Sequence, residues 1–394
     1  MNVLIRQIDS RFSKEEMTRI GFDCAYIDAA SKKYDYRLFK IFGLAPHQAT
    51  IIKQTALSLG SDAAVHRDVL MCKIDSSDVL LGGSVAQIIS ICDKLKKQPF
   101  SLAKIAFELE AQIFPTLTPM KIRNRLFDFE KKTFLMGILN VTPDSFSDGG
   151  KYFEKDTALL HAKELIVNSD IVDIGAESTR PGAEPIDCEE EMRRLIPIVE
   201  GIRQIDDSIP ISIDTRNAKT ARAALEAGAD MINDISGLSY DSSMADVIRD
   251  YGVPVVLMHS ENAINMQTQH EYKRGVVDDV FFELEKKINF ASSCGIDRKN
   301  IILDVGIGFD KTYEENLELI RRMDEFFSLG CPLLAGVSRK SVIKKIAGED
   351  ISSRDEATLA VSAYLASKKI NILRVHNVSI HRKSIELVDE LVRR

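Results

Sequence analysis

The chain has 394 residues, of which 45% are hydrophobic and 28% charged, and its formal net charge is −7 at pH 7. This length exceeds one small domain, and the ordinary composition indicates a globular rather than a disordered protein. The acidic balance argues against nucleic acid as a partner, although it leaves room for local basic sites that bind small anions. No apolar run approaches the length of a membrane span, so no membrane partner is expected.

The beginning of the chain and its cysteines favour a cytoplasmic location. The first residues, MNVLIRQIDSRF, are interrupted by Arg6 and Asp9 and lack the apolar core of a signal peptide. Six cysteines are scattered, with no C-x-x-C spacing and no histidine at metal-binding spacing. We therefore expect a reduced cytoplasmic protein with buried thiols rather than a disulfide or zinc framework.

The first 125 residues predict a small mixed α/β domain. Their pattern is consistent with a strand at MNVLIRQ, one or two helices over 37–59, a strand pair at DVLMCKID and SDVLLGG, and a helix over 84–95. No motif here indicates chemistry, and a packing or oligomerisation module is the simplest interpretation. Pro119 and the charged run DFEKK interrupt the pattern near 120–132, which predicts domains at 1–125 and 126–394.

From Thr133 onward, short apolar runs alternate with helical stretches. The runs are TFLMGILNV, IVDIGAE, PISIDT, MINDIS, PVVLMHS, IILDVGI, PLLAGVS and ILRVHNV. The helical stretches are 156–168, 189–204, 218–227, 243–251, 276–294, 313–327 and 356–367. Continuous apolar runs are typical of parallel strands buried on both faces, and the size fits a (β/α)8 TIM barrel. A doubly wound open sheet is the alternative, but polar residues close every run, which favours the barrel.

Three of these strand ends predict a site for a flat heterocycle. Asp214, Asn233 and Asp304 follow different runs and would face a common centre at the carboxyl end of a barrel. Carboxylates accept paired N–H donors, and an amide offers one donor group and one acceptor. The alternative for each residue is a buried polar group that bonds only to barrel backbone.

The last strand adds a predicted anion site. Arg374 and His376 are two residues apart, so they lie on the same face of a strand. With Lys340 and Asn140 they suit an anionic leaving group such as pyrophosphate, with Asn140 helping to position Mg²⁺. A histidine on a strand is often a plain core residue, but its pairing with an arginine at a strand end favours the anion site.

Two neighbouring segments complete the predicted pocket. The segment DVGIGFDK carries Phe309 as a possible aromatic wall, and Met258 is suited to pack on a ring face, although plain core packing explains it as well. The loops 140–152 and 178–187 are rich in Gly, Pro, Ser and Asp and are interpreted as lids over substrate.

These motifs resemble a known family. NVTPDSFSDGG, ESTRPGAEP, SIDT, NDISG, the G-x-GF segment, SRKS and RVHNV occur in the order and spacing of dihydropteroate synthase, from about Thr133 to the C-terminus. The resemblance implies condensation of 6-hydroxymethyl-7,8-dihydropterin diphosphate with 4-aminobenzoate, giving dihydropteroate and pyrophosphate. It implies nothing for the first 125 residues. Barrels of this family commonly form dimers, so a homodimer is expected.

The resemblance also implies residue roles. It assigns pterin binding to Asp214, Asn233, Asp304 and Lys340, the diphosphate to Arg374 and His376, and the Mg²⁺ ligand to Asn140. Substrate-binding roles near 4-aminobenzoate extend to Thr179, Phe309 and Ser341, and Arg180 and Met258 complete the predicted substrate-binding set. The catalytic roles fall on Asp214, Asp304, Lys340, Arg374 and His376.

Two other classes remain open at this point. A pterin-binding methyltransferase that serves a corrinoid protein shares the Asp/Asn/Asp ring but needs no diphosphate clamp, so Arg180, Lys340 and the RVH segment argue against it. A pterin-binding scaffold without activity would retain the barrel and lack turnover. The sequence does not resolve whether a substituted arylamine replaces 4-aminobenzoate.

Overall fold

The structure is a computed structural model that describes residues 3–141, 151–176, 186–260 and 271–393. The chain divides into two compact units, Met1–Pro115 and Thr116–Arg394. The boundary that the sequence predicts, 125/126, lies within the second of these units. The hairpin β4 (Met120–Ile122) and β5 (Arg125–Phe127) belongs to the second unit because its apolar side chains join that unit's core. Across the described residues, no helix combines the length and apolarity that a membrane span needs.

The first unit is a three-stranded antiparallel sheet with helices. Its elements are α1 (Ser13–Arg19), α2 (Ile27–Ser31), β1 (Tyr36–Leu44), α3 (Pro46–Leu57), β2 (Asp62–Val65), β3 (Ser77–Ser84), α4 (Val85–Leu95) and α5 (Leu102–Ile113). The strand order is β1-β3-β2. Its core contains Ile52, Leu81, Ile88, Leu95 and Leu102, which come from the sheet and from α3, α4 and α5.

Secondary structure in this unit departs from the sequence prediction at three places. The segment 37–59 was predicted as helical, but 36–44 forms β1 and the helix begins only at Pro46. Residues 3–9 form no strand, and DVLMCKID forms none either. The predicted helix over 84–95 is confirmed, with the Ser84 side chain accepting the Gln87 amide as its N-cap.

The second unit confirms the (β/α)8 barrel. Its strands are β6 (Phe134–Asn140), β7 (Ile171–Gly175), β8 (Ile211–Asp214), β9 (Met231–Asp234), β10 (Val255–Met258), β11 (Ile301–Asp304), β12 (Leu333–Ala335) and β13 (Ile372–Val375). They close in sequence order, and every neighbouring pair is parallel. The surrounding helices are α6 (Lys151–Asn168), α7 (Cys188–Ile205), α8 (Ala218–Glu226), α9 (Met244–Tyr251), α10 (Val276–Ser293), α11 (Tyr313–Arg322), α12 (Ser341–Ala347), α13 (Ile351–Ser367) and α14 (Val378–Val392).

Alternation along each strand creates two separate cores. One set of strand residues points outward and packs with the helices, and the other set points into the barrel. At the amino-terminal end, the inward residues meet the β4–β5 hairpin in an apolar cluster of Met120, Ile122, Phe127, Phe129, Phe134, Met136, Ile171, Met231, Val256, Ile302, Leu334 and Ile372. Since this cluster fills that end of the interior, the polar inward residues lie toward the carboxyl ends of the strands.

Candidate active site

The carboxyl ends of adjacent strands bring the predicted site residues side by side. In the ladder, Asn140 pairs with Gly175, Gly175 with Asp214, and Asp214 with Asn233. A Cβ added to Gly175 would lie 3.8 Å from Asn140 Oδ1 and 3.8 Å from Asp214 Cγ. Gly175 therefore leaves the Asn140 amide and the Asp214 carboxylate as neighbours across an open position.

One arginine ties these strands together. Arg374 of β13 donates from Nε to Asp173 Oδ2 at 2.6 Å and from Nη2 to Asp214 Oδ2 at 2.7 Å. Asn233 Nδ2 also donates to Asp173 Oδ2, at 3.3 Å. Burial works to lower the pKa of Arg374, but the carboxylates of Asp173 and Asp214 outweigh it and raise that pKa. The guanidinium thus stays charged between two carboxylates.

A second group of polar residues forms around the β11 end. Asp304 Oδ1 accepts the Gly306 backbone N–H at 2.8 Å, and burial raises the pKa of this carboxyl. Lys340 donates to the Ile307 carbonyl oxygen, and its ammonium lies 4.0 Å from the centre of the Phe309 ring. Although the lysine stem is partly exposed, desolvation of its ammonium lowers the pKa of Lys340 to about 8, against the opposing effect of Asp304.

Lys311 holds the loop after β11 in shape. Its ammonium donates to the carbonyl oxygens of Gly306 at 3.0 Å and Phe309 at 3.1 Å, and it lies 3.1 Å from His259 Nδ1. Burial lowers the pKa of Lys311 to about 7. Gly306 has φ +71°, and a Cβ there would lie 2.0 Å from the His259 carbonyl oxygen. Only glycine fits this approach, so the loop that follows Asp304 and carries Phe309 is fixed against the end of β10.

The loop after β12 is fixed by contacts with α13 and with the end of β13. Arg339 forms a two-pronged ion pair with Asp355 of α13, at 2.6 and 2.7 Å. The Ser338 hydroxyl accepts the His376 backbone N–H at 3.2 Å and lies 2.9 Å from His376 Nδ1. Arg339 therefore supports the loop that precedes Lys340, while Ser338 orients the His376 ring.

Most of the sequence-predicted residues fall into two groups in the structure. Asp214, Asn233 and Arg374 lie in one hydrogen-bonded network through Asp173. Asp304, Lys340 and Phe309 form the second group, and Met258 is buried in the register position beside Asp304. Ser341 is exposed as the first residue of α12. Thr179, Arg180 and most of the two predicted lids lie outside the described residues.

Sequence reasoning missed two residues of this site. Asp173 lies inside its apolar run, whereas the predicted site residues come from the ends of the runs. The period-2 alternation was the available signal, since Asp173 is two residues before Gly175 on the same strand face. Lys311 carried no sequence signal, because its three partners depend on how the β10 and β11 ends meet.

A metal site formed by the protein alone is not present among the described residues. No three His, Cys, Asp or Glu side chains converge there in a way that would hold an ion. The oxygen atoms of Asn140 and Asp214 beside Gly175 are nevertheless of the hard type that Mg²⁺ prefers. Because Mg²⁺ commonly takes one or two protein oxygens and completes its shell with water and phosphate, this donor pair fits that ion.

Comparisons with known proteins identify the family of this chain. A family model described as pterin binding enzyme matches residues 136–376. The dihydropteroate synthase of Clostridium beijerinckii is 44% identical over 277 residues, which cover 70% of this chain and 100% of that protein.

Solved structures show the same likeness. The dihydropteroate synthase of Clostridium difficile, solved in the presence of pteroic acid, matches with TM-score 0.65 and 42% identity over 68% of this chain and 100% of its own. The Xanthomonas albilineans dihydropteroate synthase, solved with 4-aminobenzoic acid, matches with TM-score 0.65 and 36% identity over 70% of this chain and 98% of its own. The chain therefore belongs to the pterin binding enzymes and, within them, to the dihydropteroate synthase family.

Proposed function

We propose that this chain condenses 6-hydroxymethyl-7,8-dihydropterin diphosphate with 4-aminobenzoate to form dihydropteroate and pyrophosphate, as a transferase of folate biosynthesis. The observation that carries the proposal is the polar layer at the carboxyl ends of the strands, where Arg374 lies between two carboxylates and Asn233 completes the network. Family membership and relatives solved with pteroic acid and 4-aminobenzoic acid support the choice of substrates.

The pterin ring would be recognised by complementary hydrogen bonds. Asp304 and Asp214 offer carboxylate acceptors for the amino and ring N–H groups. A carboxylate only accepts, so the bond from Asn233 Nδ2 to Asp173 leaves the Asn233 carbonyl oxygen as the acceptor for the substrate. Lys340 supplies a cationic donor, and Met258 beside Asp304 is placed to pack against the ring face.

The diphosphate would be held beside the pterin by cationic and polar groups. Among the described residues Arg374 donates from Nε and Nη2, and its Nη1 is proposed to bind the anion. His376, whose ring Ser338 orients, would add a second contact. Asn140, with the Asp214 carboxylate beside it, would hold Mg²⁺. When bound, Mg²⁺ would neutralise charge on the leaving diphosphate.

The reaction then requires positioning more than a nucleophile from the protein. The bond between the exocyclic carbon and oxygen breaks, and its electron pair leaves with the diphosphate toward Arg374 and His376. Asp214 and Asp304 stabilise the positive charge that develops on the pterin. The amino group of 4-aminobenzoate attacks that carbon and loses a proton. Phe309, Ser341, Thr179 and Arg180 are proposed to line the arylamine side.

Two further features belong to the proposal. The helices α12, α13 and α14 expose apolar side chains, which supports the proposed homodimer: Ile346 is 77%, Ile351 59%, Tyr364 41%, Leu387 62% and Leu391 75% exposed. All six cysteines are unpaired, which supports activity in the reducing cytoplasm. Light scattering on purified protein measures the oligomeric state, and a monomer at micromolar concentration would reject the dimer.

The two-domain organisation is also part of the proposal, with the chemistry assigned to 126–394. The Met1–Pro115 unit has a core of its own, which supports independent folding and a role apart from the chemistry. Turnover by a fragment from Thr116 onward, at a rate close to that of the whole chain, is the expected result. A fragment that folds but requires the first unit for turnover would contradict this division.

The decisive experiment measures pyrophosphate release from the pterin diphosphate with Mg²⁺, with and without 4-aminobenzoate, while dihydropteroate is quantified in the same samples. Equal amounts of both products that depend on the arylamine are expected. Asp304→Asn should lower kcat/KM by about 100-fold, the scale of losing one preorganised electrostatic contact. Asp297→Asn, at an exposed helix cap, is the matched control. Pterin binding without turnover would instead indicate a scaffold or a methyltransferase.

A further inference from the structure

Asp173 is a buried carboxylate that the proposed reaction does not use directly. It has no exposed surface and lies in the middle of β7. Its chain neighbours Val172 and Ile174 pack outward with the helices, so Asp173 points into the barrel. A buried charge is costly unless it is paired, and the barrel interior must supply its partners.

The partners of Asp173 are two of the proposed substrate-binding residues. Its Oδ2 accepts from Arg374 Nε at 2.6 Å and from Asn233 Nδ2 at 3.3 Å. Its Oδ1 is buried and has no hydrogen-bond partner among the described residues. One oxygen thus links β7 to β9 and β13, directly beneath the strand ends.

These bonds determine how the two partners face the pocket. Nε is the guanidinium nitrogen nearest the backbone. Its hydrogen bond to Asp173 therefore fixes the plane of the Arg374 guanidinium and directs Nη2 to Asp214. The Asn233 amide must turn its NH₂ group toward Asp173, because a carboxylate cannot donate. Both orientations therefore depend on the same carboxylate.

We propose that Asp173 is a positioning residue, which holds Arg374 in the orientation that receives the diphosphate and Asn233 in the orientation that binds the pterin. This inference rests on the proposed function for its substrates. Asp173 itself makes no contact with them. The charge on Asp173, rather than its volume, does the positioning.

The adjacent strand offers a matched control. Ser212 of β8 occupies the register position beside Asp173 and also has no exposed surface. Its hydroxyl has no hydrogen-bond partner among the described residues, Arg374 and Asn233 included. Ser212→Ala therefore removes a buried polar group at the same depth without touching the network.

The test compares Asp173→Asn with Ser212→Ala in two measurements. The first is kcat for pyrophosphate release, and the second is the Kd for 6-hydroxymethylpterin, which lacks the diphosphate, by calorimetry. Asp173→Asn should lower kcat by about 10- to 100-fold, the range seen for residues that orient a functional group, and should also weaken pterin binding. Ser212→Ala should change both values by less than about threefold.

The Arg374→Gln background separates positioning from a general structural role. If Asp173 acts on kcat through Arg374, Asp173→Asn should change the kcat of Arg374→Gln by less than about threefold. A full further loss in that background would overturn the role through Arg374. A folded Asp173→Asn protein with wild-type kcat and Kd would overturn the whole inference.

The inference stays testable in two further cases, namely a variant that does not fold and a wild-type protein that does not turn over. If Asp173→Asn alone does not fold, the double variant removes both charges of the pair, and comparison of its kcat with that of Arg374→Gln decides the same question. If the wild type binds pterin but does not turn over, the proposed function fails. The pterin Kd of Asp173→Asn then still decides the Asn233 part of the inference, since a weaker Kd supports it and an unchanged Kd overturns it.

Discussion

Replacement of Lys340 by methionine should raise the free energy of the transition state for pyrophosphate release by about 1.5–3 kcal/mol. This is the usual contribution of a hydrogen bond that involves a charged group. Lys340 donates to the Ile307 carbonyl, lies 4.0 Å from the Phe309 ring centre and opposes the charge of Asp304. Methionine fills similar space without the charge. Among the described residues, Lys340 has the largest charge effect on Asp304, ahead of Arg374 and Lys311, so its loss makes the site less favourable for an anionic substrate.

The expected loss corresponds to about 10- to 150-fold in kcat/KM at pH 7. Lys344→Met is the matched control, because Lys344 lies on α12, which begins directly after Lys340, and pairs at the surface with Glu349 at 2.6 Å. Its kcat/KM should stay within about twofold of wild type. A Lys340→Met enzyme that is folded and within threefold of wild type would refute the reasoning from the desolvated ammonium.

The pH dependence gives a second measure of the same group. The pKa of Lys340 is lowered to about 8, so wild-type kcat/KM should fall as the pH rises through 8 and the ammonium loses its proton. Lys340→Arg should lack this alkaline decline, since a guanidinium stays charged throughout the range. A wild-type profile that is flat up to pH 9.5 would contradict the role of the ammonium.

Three other perturbations test the pocket walls. Burial lowers the pKa of Lys311 from 10.5 to about 7, so the folded chain releases a proton that the unfolded chain keeps, and the free energy of unfolding should rise between pH 7 and 9. Urea denaturation should show a smaller rise in Lys311→Met, and an equal rise would contradict this origin. Asn140→Ala should increase the Mg²⁺ concentration needed for half-maximal turnover, and an unchanged titration would remove Asn140 from the metal site. Gly306→Ala should destabilise the fold by several kcal/mol, because its Cβ would lie 2.0 Å from the His259 carbonyl oxygen. The control Gly252→Ala, in open space at φ +64°, should cost only about 1 kcal/mol. Equal shifts of the melting temperature in the two variants would refute the clash.

The candidate site residues that could be identified from the sequence are those whose position follows from strand periodicity. Asp214 and Asp304 end their parallel strands and Asn233 is the last residue but one of its strand, and in a barrel all such ends meet at one face. The closed eight-stranded order could be predicted because strand and helix patterns alternate through the whole second unit.

The first unit was less predictable for a physical reason. The segment 36–44 forms a strand because β3 pairs with it in antiparallel register, and such pairing involves residues that are distant in the sequence. Strand preference depends strongly on this context, whereas helices depend mostly on local spacing. This explains why the helix over 84–95 could be identified and the strand before Pro46 was missed.

The sequence by itself determined the barrel, its family resemblance and the residue types at the strand ends. Only the tertiary structure revealed that Arg374 is bound by Asp173, which lies 201 residues earlier, and that Lys311 fixes the loop that follows Asp304. Periodicity decides which face of a strand a side chain occupies. Barrel closure decides which side chain stands opposite it, because β13 and β7 come together only when both pair with β6.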